Sequence, residues 1–245
     1  MRVAAVGGGI TSLCPAWGLA RLRRAVTLLA QGRIPDPLAA SGDHHGIIRR
    51  GYAHPGYRER VTGAAAAWDL LWAGLGARHL GPRGFAGPGW TGAPSGAPLS
   101  RPRAARSTAG RSRGAWRPGR ARAEVREGAA ARAVGDGRVA MRDGALEAER
   151  VLACAGAWTP GLMPGIAPRL RSSRTAVAYL EPPPDLRPAR AAAAGAGFVR
   201  HEEGATLAVS ACADHGHKFG AAVGLRVARA VARGGAAGLA RWLAA

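Results

Sequence analysis

The apolar positions of this chain follow two periods, and the places where one gives way to the other mark its elements. Val3-Ala4-Ala5-Val6 is a short, unbroken apolar run, Gly7-Gly8-Gly9 a tight turn, residues 10–23 a helix, and Ala25-Val26-Thr27-Leu28-Leu29 a second strand. The opening therefore reads as a βαβ unit. Val61, Ala65, Trp68, Trp72 and Leu75 recur at alternating spacings of four and three, which predicts an amphipathic helix over 57–77 with an aromatic face turned to the core. Residues 138–142 and 145–148 flank Asp143-Gly144, a hairpin turn pair, and Arg150-Val151-Leu152-Ala153-Cys154 is an apolar strand. Residues 205–212 read as another strand, followed by a glycine-containing loop and a helix through Val223, Val227 and Val231. Residues 166–196 are irregular, with Pro182-Pro183-Pro184 extended.

The opening turn carries the first candidate chemistry. Gly7 and Gly9 fill the first two places of G-x-G-x-x-G, where missing side chains let the backbone approach a pyrophosphate, and the N-terminus of the following helix, beginning at Ile10, favours its charge. A dinucleotide is the implied ligand. Ser12 stands in the third glycine place. Pro15 removes a helical hydrogen bond at a cost of about 3 kcal/mol, which predicts a kinked or late-starting helix. The acid that should hold the ribose hydroxyls at the end of the second strand is absent, because the strand ends Leu29-Ala30-Gln31.

Composition changes the picture in one respect. A net charge of +20 directs attention to nucleic acid, but of the 35 basic residues only Lys218 is lysine, and the chain has no asparagine and a single glutamine. That pattern follows coding bias towards G and C more than a basic stripe, so nucleic acid is an unlikely partner beyond nonspecific polyanion binding at low salt. Residues 82–122 hold nine arginines, eight glycines, six prolines and no acid. They are expected to be a mobile or poorly formed insertion, with an arginine-glycine RNA-binding segment and an out-of-frame translation as the other readings. Cys14, Cys154 and Cys212 are widely spaced and suit reduced, buried thiols. No signal peptide and no membrane-length apolar run is visible, and a cytoplasmic location is expected.

Three later stretches carry further candidates. His44 and His45 lie in the polar loop Ser41-Gly42-Asp43-His44-His45-Gly46, with no acid or cysteine cluster to make them metal ligands, and Arg49 follows two isoleucines. Gly156 and Trp158 follow the 150–154 strand, where small residues leave room for a ligand against the backbone. His215, Gly216, His217 and Lys218 lie at the turn into the last long helix, where side chains and helix N–H groups can both meet an anion.

Taken in order, Val6-Gly7-Gly8-Gly9-Ile10 with Val26-Thr27-Leu28-Leu29, Ser41 through Arg49, Val151 through Trp158, and His215 through Gly220 resemble the glycine and sarcosine oxidase type of flavoprotein in the D-amino-acid oxidase superfamily. The resemblance implies an α/β fold: a Rossmann-type FAD-binding domain with a reduced, interleaved α+β substrate domain. The FAD-binding part would comprise 1–50, 123–165 and 205–245, with 51–122 a helix plus insertion and 166–204 a remnant of the substrate domain. It also implies noncovalent FAD held by Gly7, Gly9, Ile10, Ser41, His44, His45, Gly156, Trp158, His215, Gly216 and Lys218. Arg49 and Lys218 match the residues that bind the substrate carboxylate. The implied reaction oxidises a secondary or N-methylated amino acid to an imine and reduces O2 to H2O2. Gly46 replaces an expected arginine, and no lysine other than Lys218 exists to activate oxygen. Two alternatives are a degenerate, non-catalytic relative and a basic nucleic-acid-binding protein.

Overall fold

The computed structural model describes residues 1–34, 36, 38–42, 55–76, 81–82, 99–100, 123–170, 172, 198–203, 205–211, 216–235 and 237–244. Strand β1 (Arg2–Val6), helix α1 (Ile10–Arg21) and strand β2 (Ala25–Leu29) form the βαβ unit that the apolar pattern predicts. Next come α2 (Pro55–Leu75), the two-residue strands β3 (Gly81–Pro82) and β4 (Leu99–Ser100), and β5 (Ala123–Arg126). A meander follows, β6 (Ala131–Gly135), β7 (Arg138–Met141) and β8 (Gly144–Glu147), and then β9 (Arg150–Ala153). The short helix α3 (Thr159–Leu162), strands β10 (Phe198–Glu203) and β11 (Thr206–Ala211), and helices α4 (Gly216–Arg233) and α5 (Ala237–Ala244) complete the order.

The main sheet runs β10-β11-β9-β1-β2-β5, parallel throughout except for β10, which pairs antiparallel with β11. Both of its faces are covered, which is why its strands read as unbroken apolar runs. Val3 and Ala5 of β1, Val26 and Leu28 of β2, Leu152 of β9, and Leu207 and Val209 of β11 join one core with the helices. The alternate residues Ala4, Val6, Leu29, Val151, Ala153 and Ala208 join a second core with Val134 and Val139 of the meander and Met163 and Ile166. The result is a Rossmann-type sheet between a helical layer and a small antiparallel sheet. Thr206 Oγ1 donates to the Gly135 carbonyl at 2.5 Å, and Ala205 N donates to the Asp136 carboxylate, tying the meander to β11.

Helix α1 corrects the late start expected of it. It begins on time at Ile10 and runs unbroken past Pro15. The reason is tertiary: α4 packs against it through missing side chains. A Cβ at Gly220 would lie 2.8 Å from Ile10 Cγ1, one at Gly224 2.4 Å from Cys14 Cβ and 2.8 Å from Pro15 N, and one at Gly18 2.8 Å from Ala228 Cβ. Packing at this range offsets the hydrogen bond that proline removes.

Three boundaries also shift. The predicted 57–77 helix is α2, two residues earlier, and its buried face is Val61, Ala64, Trp68, Leu71 and Trp72. Met141 pairs with Gly144, so the hairpin turn is Arg142-Asp143, while Gly144 opens β8. A second tight turn, Asp136-Gly137, joins β6 to β7, with Gly137 at φ 69. Helix α2 shares the helical core, and β10 extends the main sheet. Of residues 82–122, only Pro82, Leu99 and Ser100 are described; β3 pairs antiparallel with β4, and the rest of that expectation lies outside the described residues.

Two glycine substitutions test the helix contact. Gly224→Ala is expected to destabilise the fold by about 1–3 kcal/mol, because its Cβ would meet α1 backbone. Gly63→Ala, on the exposed side of α2 with open space around it, is expected to stabilise by roughly 0.5–1 kcal/mol. Urea unfolding midpoints measure both.

Candidate functional site

The C-terminal edge of a parallel sheet is where ligands bind in open α/β folds. Here that edge carries the Gly7-Gly8-Gly9 turn after β1, Ala30 after β2, Cys154 to Trp158 after β9, and the start of α4 after β11. Gly7 has φ +129, and a Cβ there would fall 2.4 Å from the Cys154 carbonyl oxygen. Only glycine fits between the two strands at this point. Its N–H donates to Leu29 O at 2.8 Å, and Cys154 N donates to Val6 O at 2.9 Å, so the turn is anchored to both neighbouring strands.

Ser12 does more than substitute for a glycine. Buried within α1, its hydroxyl lies 2.7 Å from the Gly7 carbonyl and 2.8 Å from that of Gly9, and its single proton links the helix to the turn. Ser41 closes the other side: Ile10 N donates to its Oγ at 3.0 Å, and a Cβ on Gly9 would lie 3.3 Å from that oxygen. Among the described residues the N–H groups of Gly8, Gly9 and Thr11 have no acceptor. Neither α1 nor α4 has an acid in its first turn. Among the described residues, unpaired donors and two helix N-termini with no acid in the first turn make this edge suited to an anion.

Helix α4 begins at Gly216, so Gly216, His217 and Lys218 belong to its first turn and not to a preceding loop. Lys218 is 2% exposed. Trp68 of α2 donates its indole N–H to the Lys218 carbonyl at 3.0 Å, stacks on Trp72 with ring centroids 5.3 Å apart, and Tyr57 meets Phe219 at 6.2 Å. The aromatic face of α2 thus holds the turn that carries Lys218. The sequence showed that face as core and gave no sign of its distant partner.

The contact of Ile10 with Gly220 brings the first turns of α1 and α4 side by side, so Gly7, Gly9, Ile10, Ser41, Gly216 and Lys218 lie around one edge of the sheet. Gly156, at φ +57 with open space at its Cβ position, and the half-exposed Trp158 follow β9 at the same edge. His44, His45, Arg49 and His215 lie outside the described residues, as does the side chain of His217. Among the described residues no three metal-ligating side chains gather, and no helix is long and apolar enough to cross a membrane.

Cys14 and Cys154 are free and buried, and burial pushes both thiols up to about 12. They are packing groups, not nucleophiles. In the native protein at pH 8 both are expected to resist a thiol reagent and to react on denaturation, as peptide mapping of the labelled protein would show. Their ordinary value is 9.0, so the unfolded chain releases these protons first, and stability is expected to fall as pH rises from about 9 towards about 12. Thermal melts across that range measure the slope. Ser12→Ala, which removes the tie to the turn, is expected to cost about 1–2 kcal/mol in urea unfolding.

No protein-family model and no curated protein matches the sequence. Solved structures do. L-proline dehydrogenase from P. horikoshii is similar at TM-score 0.67 and 14% identity, covering 96% of this chain and 94% of that one. Glycine oxidase from Bacillus cereus is similar at TM-score 0.65 and 14% identity, covering 95% and 97%. Iminodiacetate oxidase from Chelativorans is similar at TM-score 0.62 and 15% identity, covering 96% of each. At these identities the likeness is one of architecture, and the chain has the α/β fold of these amino-acid dehydrogenase and oxidase structures.

Proposed function

We propose that this chain is a flavoprotein oxidoreductase that binds FAD noncovalently and oxidises a small amino acid. One observation carries the reading: the glycine turn after β1 and the first turn of α4 adjoin at one sheet edge, with N–H groups at the turn that are unpaired among the described residues. The fold shared with L-proline dehydrogenase, glycine oxidase and iminodiacetate oxidase agrees with it.

Gly7, Gly9 and the start of α1, with Ser41 over Ile10, would hold the diphosphate of FAD. Gly156, Trp158, His44, His45, His215 and Gly216 complete the proposed contacts. When bound, FAD supplies the hydride acceptor, and O2 is the terminal oxidant, reduced to H2O2 by the same two electrons. The protein's part is position and electrostatics. In this proposal the Arg49 guanidinium grips the substrate carboxylate bidentately and the Lys218 ammonium adds a point charge, which orients the substrate carbon-hydrogen bond. The substrate loses that hydride and an amine proton, and water then hydrolyses the imine. A secondary or N-methylated amino acid such as sarcosine or proline is the proposed substrate class.

A second reading, a degenerate, non-catalytic relative with weak or no FAD binding, is favoured by Ala30 standing where the ribose acid belongs. Visible absorbance separates the two. Protein purified with FAD is expected to retain oxidised flavin bands and to bleach them on anaerobic addition of sarcosine or proline. Retained bands without bleaching, or loss of flavin on gel filtration, would overturn the first reading and select the second. Arg49→Ala and Lys218→Ala are each expected to weaken carboxylate inhibitors by about 1.5–3 kcal/mol, read as a shift in flavin absorbance on titration.

A further inference from the structure

The end of β2 lacks its acid in sequence, but in space an aspartate of the following loop lies beside the glycine turn. A Cβ built on Gly8, the middle residue of the glycine turn, would lie 3.4 Å from Ala30 Cβ and 3.4 Å from Asp36 Cβ. Asp36 therefore reaches back from the loop to the place where strand end and glycine turn meet. It is 6% exposed. Oδ1 accepts the Leu38 N–H at 2.9 Å, while Oδ2 lies beside Gly32, 3.5 Å from where its Cβ would be, and has no partner among the described residues.

A turn alone explains only half of this. An aspartate that caps the N–H two residues on needs one oxygen and no burial. That leaves the second oxygen available to another donor. The loop nevertheless holds it inward: Ile34 is buried against the core, Ile34 N donates to the Glu127 carboxylate at 2.8 Å, and Ala39 N donates to Asp36 O at 3.2 Å.

We infer that Asp36 replaces the missing strand-end acid and accepts hydrogen bonds from the adenosine ribose hydroxyls of the bound dinucleotide. The inference rests on the cofactor reading above and adds to it the residue that selects the ribose. A carboxylate at this point accepts from free 2′- and 3′-hydroxyls and repels a 2′-phosphate, so the site takes FAD or ADP and rejects 2′-phosphorylated nucleotides.

Calorimetric titration of the full chain with FAD, ADP, 2′-deoxy-ADP and inorganic pyrophosphate tests this. The unmodified protein is expected to bind ADP about tenfold or more tightly than 2′-deoxy-ADP. Asp36→Asn keeps an oxygen for Leu38 N and loses the charge. It is expected to weaken FAD and ADP about tenfold or more, to abolish the preference for ADP over its deoxy analogue, and to leave pyrophosphate binding unchanged. Equal affinity of the unmodified protein for ADP and 2′-deoxy-ADP would overturn the inference without requiring any variant to fold. So would unchanged FAD affinity in Asp36→Asn, or tighter binding, which would mean that the carboxylate blocks the ribose position. A protein that binds neither FAD nor ADP would overturn the cofactor reading and this inference together, whereas one that binds both with no dependence on Asp36 would overturn this inference alone.

Discussion

The site depends on how closely α1 and α4 approach one another. Helices normally lie 8–10 Å apart because side chains keep them there. Along this contact the spacing side chains are missing at Gly18, Gly220 and Gly224, and Ile10, Cys14 and Ala228 take up the room. Two helices that each follow a strand of one parallel sheet point the same way, so close packing along their sides also sets their first turns side by side. Two positive dipole ends then converge on one edge. This is electrostatically unfavourable in the empty protein and favourable once an anion lies between them.

The turn after β1 follows from the same economy of side chains. Gly7 cannot carry a Cβ because the Cys154 carbonyl occupies its place, and hydrogen bonds to β2 and from β9 hold it there. Ser12 then uses a hydroxyl where a glycine would leave nothing. The departure from the glycine pattern, which reads as a mild loss in the sequence, is an added constraint on the loop. On the far side of α4, Trp68 anchors the Lys218 carbonyl, so α2 sets the start of one helix while α4 itself holds the start of the other.

Much of this fold was legible because burial on both faces leaves a direct trace. Strands β1, β2, β9 and β11 are apolar runs, and their residues divide alternately between two cores. What periodicity cannot carry is partnership across the chain. Trp68 and Trp72 announced a buried face, but nothing local tied it to Lys218, 150 positions on. The lysine looked like a loop residue because Gly216 and Gly220 flank it; both instead serve α4, Gly220 by admitting Ile10. Pro15 misled in the opposite direction, since its local cost is real and the packing that offsets it comes from a segment some two hundred residues away. Asp36 is not legible as this acid because the motif expects it at the end of the strand, whereas a turn brings it back beside Gly8 several residues later.

An acid beside an anion-binding turn looks contradictory, and the arrangement of the loop resolves it. Ser41 lies over Ile10 and Gly9, at the helix end of the turn, while Asp36 lies beside Gly8 and Gly32, towards the β2 end. The loop between them, residues 36–41, therefore offers a neutral hydroxyl where negative charge would gather and a carboxylate where hydroxyl donors would lie. A dinucleotide has that same alternation, with an anionic diphosphate and uncharged ribose hydroxyls. The net charge of +20 is no substitute for such placement. Several of its arginines lie on aromatic rings away from this edge, Arg21 over Trp17 at 4.8 Å and Arg226 over Trp242 at 4.7 Å, where the guanidinium serves packing as much as charge. In the site proposed above, recognition would rest instead on backbone N–H groups and one carboxylate.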